Sequence, residues 1–538
     1  MAKRFTRFLL TALVLLPAIG VSCAPPSSPS SAALEDPIQI DSGLVSGTVT
    51  DGLRVYKGIP FAAPPVGNLR WKPPQPAVPW QGVKQCTEFG PVPHQWAALG
   101  PQPKDSNEDC LYLNVWTPAK KQSDRLPVMI WLYGGGFRFG SGSTSLYDGV
   151  NLANRGVIVV TLNYRVGTLG FIAHPLLSKE SEHNSSGNYG ILDQIAALKW
   201  VQKNIAALGG DPNRVTIFGE SAGAISVTCL MASPLAKGLF QRAISQSLAE
   251  LGFFGHIRES KAGNEPAETQ GERLAKDLVC DTAPDPIACM RSKSAEEVMA
   301  KGKPPANYLS PGYRYGPIVD GWVLPDLPLN IFEAGKQYDV PYLLGSNADE
   351  WALFQLRVPT TAGSYQAYVK RTAGEYAQQV LTMYPATNDE QAKASEEQVL
   401  TLHAFTCPAK AYATAMDKVP SKAYFYQFSR VPPGSRIGAF HALEIGYVFG
   451  NLMPILPTPD PEAYFDNTDK ALSEAMMGYW TNFAKTGDPN GQGLTPWPAY
   501  DGKADQYLDL GDKIEAKSSL YTEACSLFQK IAKEKRGK

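Results

Sequence analysis

The chain has 538 residues, with 50 Lys and Arg against 51 Asp and Glu, so its formal net charge at pH 7 is −1. Nucleic-acid binding depends on clustered basic charge, which this sequence lacks, and we therefore expect no nucleic-acid partner. Hydrophobic residues make up 44% of the chain and aromatic residues 10%, which is enough for a large packed core and excludes disorder over most of the length.

The N terminus has the pattern of an export signal. Basic residues precede an apolar stretch over residues 9–21, which is shorter than the roughly 20 residues that a transmembrane helix needs. We predict a signal peptide over residues 1–22. Because the following segment is rich in Pro and Ser, we predict a disordered tether over residues 23–37.

Two cleavage sites fit the end of this signal. Ser22 before Cys23 resembles a bacterial lipoprotein signal, which implies that Cys23 is lipidated and attaches the mature protein to a membrane. Cleavage after Ala24 would instead release a secreted protein. In both cases the protein is exported to an oxidising compartment, in which cysteines can pair.

Strand-like and helical patterns alternate after the tether. Short apolar runs over residues 128–132 and 157–162 are typical of strands buried on both faces of a parallel sheet. Apolar residues recur at helical spacing over residues 191–207, and residues 214–218 return to a strand pattern. This order of strand, helix and strand predicts an α/β protein.

A candidate nucleophile lies where the last of these strands ends, in Gly219-Glu220-Ser221-Ala222-Gly223. A serine in a tight strand-to-helix turn needs neighbours without side chains two places away on either side. Gly219 and Gly223 meet that need, and a helical run over residues 224–231 follows. We therefore predict that Ser221 is the nucleophile; a plain glycine-rich loop is the alternative.

A nucleophilic serine requires hydrogen-bond donors where the oxyanion develops. Three consecutive glycines, Gly134-Gly135-Gly136, directly follow a predicted strand. We predict that the amides of Gly135, Gly136 and Ala222 form the oxyanion hole. A flexible glycine hinge is the alternative interpretation of this triplet.

Several motifs occur together and in one order along the chain. They are Gly58-Ile59-Pro60-Phe61-Ala62, Glu108-Asp109-Cys110-Leu111-Tyr112-Leu113-Asn114-Val115, Tyr133-Gly134-Gly135-Gly136-Phe137, Asn163-Tyr164-Arg165 and the Ser221 pentapeptide. Together they resemble the type-B carboxylesterase and cholinesterase family. The resemblance implies an α/β-hydrolase fold, with a mostly parallel sheet flanked by helices, in a single catalytic domain over residues 38–533. It also implies ester cleavage through an acyl-enzyme, a triad in the order Ser, acid, His, and no cofactor.

Three histidines follow Ser221 in the chain and could serve as the base: His256, His403 and His441. His403 lies in a predicted helix, whereas His441 lies in a loop beyond the strand-like residues 423–428. A loop beyond a strand end is where this fold presents its base. The resemblance also implies that His441 is the catalytic histidine.

Two adjacent carboxylates follow the strand-like residues 340–345. Either Asp349 or Glu350 could orient the imidazole chemically. The resemblance implies that Glu350 is the acid, although Trp351 replaces the glycine usual in the family, and Asp349 stays open as a supporting or alternative acid. Ser247 resembles a supporting serine near the triad.

The chain contains eight cysteines. The resemblance implies three disulfides, Cys280–Cys289, Cys407–Cys525 and Cys86–Cys110, and we expect Cys229 to be a buried thiol. No His and Cys cluster has metal-ligand spacing, so we predict no metal. The resemblance further implies two ion pairs, Arg70–Glu108 and Arg165–Asp193, for which solvated surface charge is the alternative.

These features predict an exported serine carboxylic-ester hydrolase with a small-molecule ester substrate. Amide, carbamate or lactone hydrolysis by the same residues is one alternative, and a non-catalytic cell-surface binding protein is another. We expect short to medium acyl chains, because residues 251–254 carry bulky side chains near the acyl pocket that the family layout implies. We expect uncharged alcohols, because Trp96 is the single Trp between Cys86 and Cys110 and does not have the spacing expected of a choline site.

Overall fold

The computed structural model describes residues 33–96, 103, 105–250, 254–261, 264–305, 310, 312–356 and 359–536. The predicted signal peptide, Cys23 and residues 23–32 of the predicted tether lie outside the described residues. The rest of that tether packs on the domain, since Ala33 pairs with Lys121 and the Leu34 side chain is buried. The folded domain therefore already includes Ala33, not only residues from 38 onward.

The strands alternate with helices along the chain. The strands are β1 (Ile38–Ile40), β2 (Gly43–Ser46), β3 (Thr48–Thr50), β4 (Leu53–Pro60), β5 (Val83–Gln85), β6 (Val92–Pro93), β7 (Ser106–Asn107), β8 (Tyr112–Thr117), β9 (Leu126–Leu132), β10 (Ile158–Leu162), β11 (Gly210–Glu220), β12 (Arg242–Gln246), β13 (Gly255–His256), β14 (Ile318–Val319), β15 (Tyr342–Asn347), β16 (Ala423–Phe428), β17 (Gln506–Leu510) and β18 (Ile514–Ser518).

The helices flank the sheet formed by most of these strands. They are α1 (Val150–Ala153), α2 (Gly167–Phe171), α3 (Pro175–Glu180), α4 (Tyr189–Asn204), α5 (Ala222–Ala232), α6 (Ala267–Asp277), α7 (Pro286–Ser292), α8 (Ala295–Lys301), α9 (Pro328–Glu333), α10 (Ala352–Gln355), α11 (Ala362–Ala373), α12 (Ala377–Met383), α13 (Asp389–Thr401), α14 (Cys407–Ala415), α15 (Glu444–Phe449), α16 (Asn467–Thr486) and α17 (Thr522–Arg536). A π-helical turn, Leu402–Thr406, joins α13 to α14. Within the ranges given above, no helix is both long and apolar enough to cross a membrane.

One mixed sheet of 11 strands organises the described part of the chain, in the order β18-β17-β16-β15-β12-β11-β9-β10-β8-β4-β3. Six of its ten neighbouring pairs are parallel, from β10 through β17, and the four antiparallel pairs lie towards the two edges. All five residues of β10 are buried, as expected for a strand covered on both faces. The predicted α/β class with a mostly parallel sheet is confirmed.

The central strands bring distant residues to one edge of the sheet. Because parallel neighbours point the same way, the segments that follow β9, β11, β12, β15 and β16 all leave from the carboxyl edge. The candidate residues predicted from sequence are in those segments. The fold therefore gathers them from about 300 residues of chain at one place.

Two of the three predicted disulfides are formed: Cys280–Cys289, 9 residues apart, and Cys407–Cys525, 118 residues apart. The third is not, because Cys86 and Cys110 are both free and buried, which corrects that prediction.

The two free thiols have different neighbours. The Cys86 backbone is hydrogen-bonded to Ser46 and Lys57 on β2 and β4, whereas Cys110 lies near the Arg165–Asp193 pair. Burial raises the pKa of each thiol, so both stay protonated and weakly reactive.

Both predicted ion pairs are formed: Arg165–Asp193 is buried, whereas Glu108 of the Arg70–Glu108 pair is partly exposed. The Arg70 guanidinium donates to both carboxylate oxygens of Glu108, at 2.7 and 2.5 Å. Arg165 donates its backbone N–H and the Nε and Nη2 groups of its guanidinium to Asp193, whose side chain is fully buried. Arg165 follows β10 and Asp193 is on α4, so this pair ties the carboxyl edge of the sheet to a covering helix.

Candidate active site

Ser221 occupies a sharp turn between β11 and α5. Its backbone has φ 55° and ψ −121°, a strained conformation for a non-glycine residue and one expected at a nucleophile elbow. The flanking glycines are required sterically: a Cβ at Gly219 would lie 2.6 Å from the Gly223 carbonyl carbon, and a Cβ at Gly223 would lie 1.9 Å from Leu132 O. The turn presents a partly exposed Ser221 at the carboxyl edge.

The glycine triplet lies against this turn. A Cβ at Gly134 would lie 3.0 Å from the Ser221 Cβ, which brings the loop into contact with the serine. Gly135 and Gly136 have φ of 112° and 59°, a region that glycine adopts at little cost. Within the described residues, the amides of Gly135, Gly136 and Ala222 donate no hydrogen bond. Three N–H groups are therefore available beside the serine.

His441 is bonded to Glu350 across a separation of 91 residues. The imidazole Nδ1 lies 2.6 Å from Glu350 Oε2, and Glu350 is fully buried. The other carboxylate oxygen of Glu350 accepts the Asn347 N–H at 2.7 Å. The carboxylate is thus fixed by its own strand end and directed at the imidazole.

Asp349 has a different role. Its Oδ2 accepts the Ala439 N–H at 2.7 Å, and its own N–H donates to Ala439 O at 3.1 Å. These bonds hold the loop that leads to His441. A Cβ at Gly438 would lie 2.2 Å from Asp349 Oδ2, so this close approach needs glycine. Of the two adjacent carboxylates, Glu350 contacts the imidazole and Asp349 contacts its loop.

Two further buried carboxylates were not predicted from sequence. Glu220 Oε1 lies 3.1 Å from His441 Nε2. Glu444 accepts hydrogen bonds from Gln246 Nε2 at 3.2 Å and Asn347 Nδ2 at 2.6 Å. Glu220 stands inside the Ser221 pentapeptide, so the motif already contained a signal for it, whereas Glu444 is identified by tertiary packing.

This cluster favours a positively charged imidazole. Burial raises the pKa of Glu220 and of Glu444, and neighbouring carboxylates raise both further. Burial opposes a charge on His441, but the carboxylates of Glu220 and Glu350 outweigh it and raise the pKa of the imidazole. An imidazolium formed during catalysis would therefore be stabilised from both ring nitrogens.

Two phenylalanine rings pack against the imidazole. The centroids of Phe354 on α10 and Phe405 on the π-helical turn lie 5.2 and 5.0 Å from that of His441. Trp351, which replaces the usual glycine, is buried and lies 4.8 Å from Phe354. The Trp351 ring therefore extends the aromatic cluster that packs against His441 through Phe354.

The other predicted residues have simpler surroundings. Ser247 follows β12, has φ 52°, and its buried hydroxyl has no hydrogen-bond partner within the described residues. Trp96 stacks on Tyr315 at 5.3 Å and donates to Met299 O.

Residues 251–253, expected near the acyl pocket, lie outside the described residues. In the described ranges, no group of three or more His, Cys, Asp or Glu side chains is arranged to hold a metal ion.

The sequence comparison decides the family. Residues 35–528 match the Carboxylesterase family. The chain belongs to that family. This carboxylesterase is 38% identical over 503 residues to the fumonisin B1 esterase of Sphingopyxis macrogoltabida, an alignment that covers 91% of this chain and 90% of that protein. It is 37% identical over 508 residues to the para-nitrobenzyl esterase of Bacillus subtilis, covering 89% and 96% of the two chains.

Solved structures agree with the family. A carboxylesterase of Geobacillus stearothermophilus has a TM-score of 0.78 to this carboxylesterase at 34% identity, covering 91% of this chain and 99% of that one. A PNB esterase has a TM-score of 0.77 at 33% identity, with the same coverage. The predicted α/β-hydrolase fold is confirmed, and the protein is a carboxylic ester hydrolase.

Proposed function

We propose that this carboxylesterase cleaves esters through an acyl-enzyme on Ser221, with His441 as the general base and Glu350 as the acid that orients it. The observation that carries the proposal is the 2.6 Å bond from His441 Nδ1 to the buried Glu350, at the same sheet edge as the strained Ser221 turn. Serine, base and orienting acid are the parts that such a mechanism requires.

The reaction follows from these positions. Ser221 Oγ attacks the ester carbonyl carbon while His441 Nε2 removes its proton, and the carbonyl oxygen becomes an oxyanion that accepts hydrogen bonds from Gly135, Gly136 and Ala222. His441 then gives the proton to the alkoxide as the C–O bond breaks, which releases the alcohol and leaves the acyl group on Ser221. A water molecule attacks this acyl-enzyme with His441 again as base, and the carboxylic acid leaves.

Glu220 and Glu350 assist when the imidazole is charged. During the reaction an imidazolium forms when His441 takes a proton from Ser221 or water, so carboxylates at both ring nitrogens lower the energy of the charged state in which bonds are made and broken. Glu444, held by Gln246 and Asn347, adds negative potential without contacting the ring. In this proposal Glu220 is a catalytic residue and Glu444 acts at a distance.

The preferred substrates in this proposal are short to medium acyl esters of uncharged alcohols. Phe354 and Phe405 take up space beside His441, which disfavours long acyl chains. One face of Trp96 is covered by Tyr315, and a net charge of −1 gives little attraction for a cationic alcohol. The similarity to an enzyme named for a para-nitrobenzyl ester supports an uncharged alcohol.

A substrate panel tests this proposal. We expect kcat/KM to be highest for p-nitrophenyl butyrate, lower for p-nitrophenyl palmitate and lowest for butyrylthiocholine. Ser221→Ala should abolish turnover of all three with little change in thermal stability, because the hydroxyl contributes little packing, and a fluorophosphonate should label Ser221 alone. Labelling of another serine would contradict the mechanism, and an optimum with palmitate or the choline ester would contradict the substrate class.

We also propose that the enzyme is exported, with cleavage either before Cys23 and lipidation of that residue, or after Ala24. The apolar residues 9–21 support export, and two disulfides in the folded domain fit an oxidising compartment. Mass spectrometry of the mature N terminus distinguishes the two sites. A diacylglyceryl group on Cys23 supports membrane attachment, an N terminus at Pro25 supports secretion, and a retained Met1 contradicts both.

A further inference from the structure

The motif Asn163-Tyr164-Arg165 has no role in the mechanism above, although it directly follows β10 beside the oxyanion loop, residues 134–142. Tyr164 stacks on Tyr133 with ring centroids 4.2 Å apart and planes 13° apart, and both residues are fully buried. Each hydroxyl donates to the backbone carbonyl of the other tyrosine: Tyr164 to Tyr133 O at 2.7 Å, and Tyr133 to Tyr164 O at 2.9 Å. The pair is therefore a rigid unit built on two parallel strand ends.

These bonds reach the oxyanion loop at its start. Tyr133 is the last residue before Gly134, so the Tyr164 hydroxyl fixes the carbonyl from which the loop departs. The loop also folds back over the same ring, because a Cβ at Gly140 would lie 2.4 Å from the Tyr133 ring. Tyr133 is thus held by Tyr164 on one side and covered by the loop on the other.

The preceding residue of the motif holds the end of the loop. Asn163 Oδ1 accepts the Gly142 N–H at 2.8 Å, while its Nδ2 donates to Pro91 O at 3.0 Å. Between these two ends, Gly167 N–H donates to Phe137 O at 2.7 Å. Asn163 and Tyr164 therefore bind the two ends of the oxyanion loop. The glycines of this loop have no side chains that could hold it in place.

We propose that Asn163 and Tyr164 are positioning residues that hold the oxyanion loop so that the Gly135 and Gly136 amides already point to where the oxyanion forms. Glycine has more backbone conformational freedom than any other residue. Oxyanion stabilisation, however, depends on N–H donors that need no reorganisation during the reaction. Anchors at both ends supply the rigidity that the glycines lack. The inference rests on the proposed oxyanion hole.

The two tyrosines provide a matched pair of variants. Tyr164→Phe and Tyr133→Phe each remove one hydroxyl from the same buried stack, but only Tyr164→Phe releases the carbonyl that precedes the loop. We expect Tyr164→Phe to lower kcat by about tenfold, a fraction of the loss on removing an oxyanion donor, with KM within twofold. Affinity for a trifluoromethyl ketone, which forms a tetrahedral oxyanion on the serine, should fall in parallel. Tyr133→Phe should lower kcat by less than threefold.

The control is Tyr342→Phe, which removes another buried hydroxyl of the same sheet, bonded to Ser245, and should leave kcat unchanged. An unchanged kcat in Tyr164→Phe, equal losses in both tyrosine variants, or a loss in KM alone would overturn the inference. If Tyr164→Phe does not fold, Asn163→Ala removes the acceptor of the Gly142 N–H at the other end of the loop, where Thr161 still binds the Gly142 carbonyl, and should lower kcat and inhibitor affinity together. A wild-type enzyme that does not bind the ketone would instead contradict the proposed oxyanion hole itself.

Discussion

Replacing Glu220 with Gln tests the electrostatics of the site more directly than any other change. Glu220 Oε1 lies 3.1 Å from His441 Nε2, and Gln keeps the shape of the side chain while removing its negative charge. Without that charge the imidazolium is less stable, so the pKa of His441 should fall. Since neutral His441 is the base in the proposed mechanism, the acidic limb of kcat/KM should move to lower pH.

The size of the expected pKa shift follows from the distance between Glu220 and His441. Two full charges 3.1 Å apart interact by about 5 kcal/mol at an effective dielectric constant of about 20. Burial raises the pKa of Glu220, so its carboxylate is not fully ionised and only part of this energy is lost. We expect the limb to move by about 1–3 pH units, the range typical of a close opposite charge, which corresponds to about 1.4–4 kcal/mol.

The assay is kcat/KM for p-nitrophenyl butyrate between pH 5 and 10, for the wild type, Glu220→Gln and Glu474→Gln. Glu474 is an exposed carboxylate bonded to Arg155, and its replacement should leave the profile unchanged. Fluorophosphonate labelling of Ser221 confirms that the Glu220 variant keeps an intact nucleophile. An acidic limb that stays at the wild-type pH, or moves to higher pH, would refute the argument that Glu220 stabilises the imidazolium.

Two further changes test the stability of the fold. Replacing both Cys280 and Cys289 with Ser should lower the free energy of unfolding by about 2–3 kcal/mol, because the bridge closes a short loop. Non-reducing peptide mapping of the wild type should find Cys280 linked to Cys289. Iodoacetamide should alkylate the buried Cys86 and Cys110 only after denaturation. Asp193→Ala should cost about 3–5 kcal/mol in urea unfolding, because it leaves a buried guanidinium without its carboxylate, and a loss below about 1 kcal/mol would show that water compensates the charge.

The sequence by itself determined those parts of the site that depend on local geometry. The turn at Ser221 requires glycine two places away on either side, and a run of five residues carries that requirement in full. The buried strands β9 and β10 could also be predicted from local sequence, because strands covered on both faces need apolar residues at successive positions. Their bounds were predicted to within two residues.

Before the structure, only the family resemblance favoured one of two adjacent carboxylates as the partner of His441. Asp349 and Glu350 are adjacent acids, and side-chain chemistry does not separate them. In the structure they point to different partners, Glu350 to the imidazole and Asp349 to the Ala439 amide. Successive residues after a strand diverge in direction, but which one meets His441 depends on how a loop 91 residues away is packed.

Tertiary structure alone decided the long-range contacts. Glu444 joins the carboxylate cluster through Gln246 and Asn347, from segments about 100 to 200 residues away. Cys86 and Cys110 follow the order of a family disulfide in the chain, yet both thiols are free in the folded domain. A local pattern such as the Ser221 turn is set by steric contacts among a few neighbouring residues. These long-range contacts depend instead on the register of the whole sheet, which no short stretch of sequence encodes.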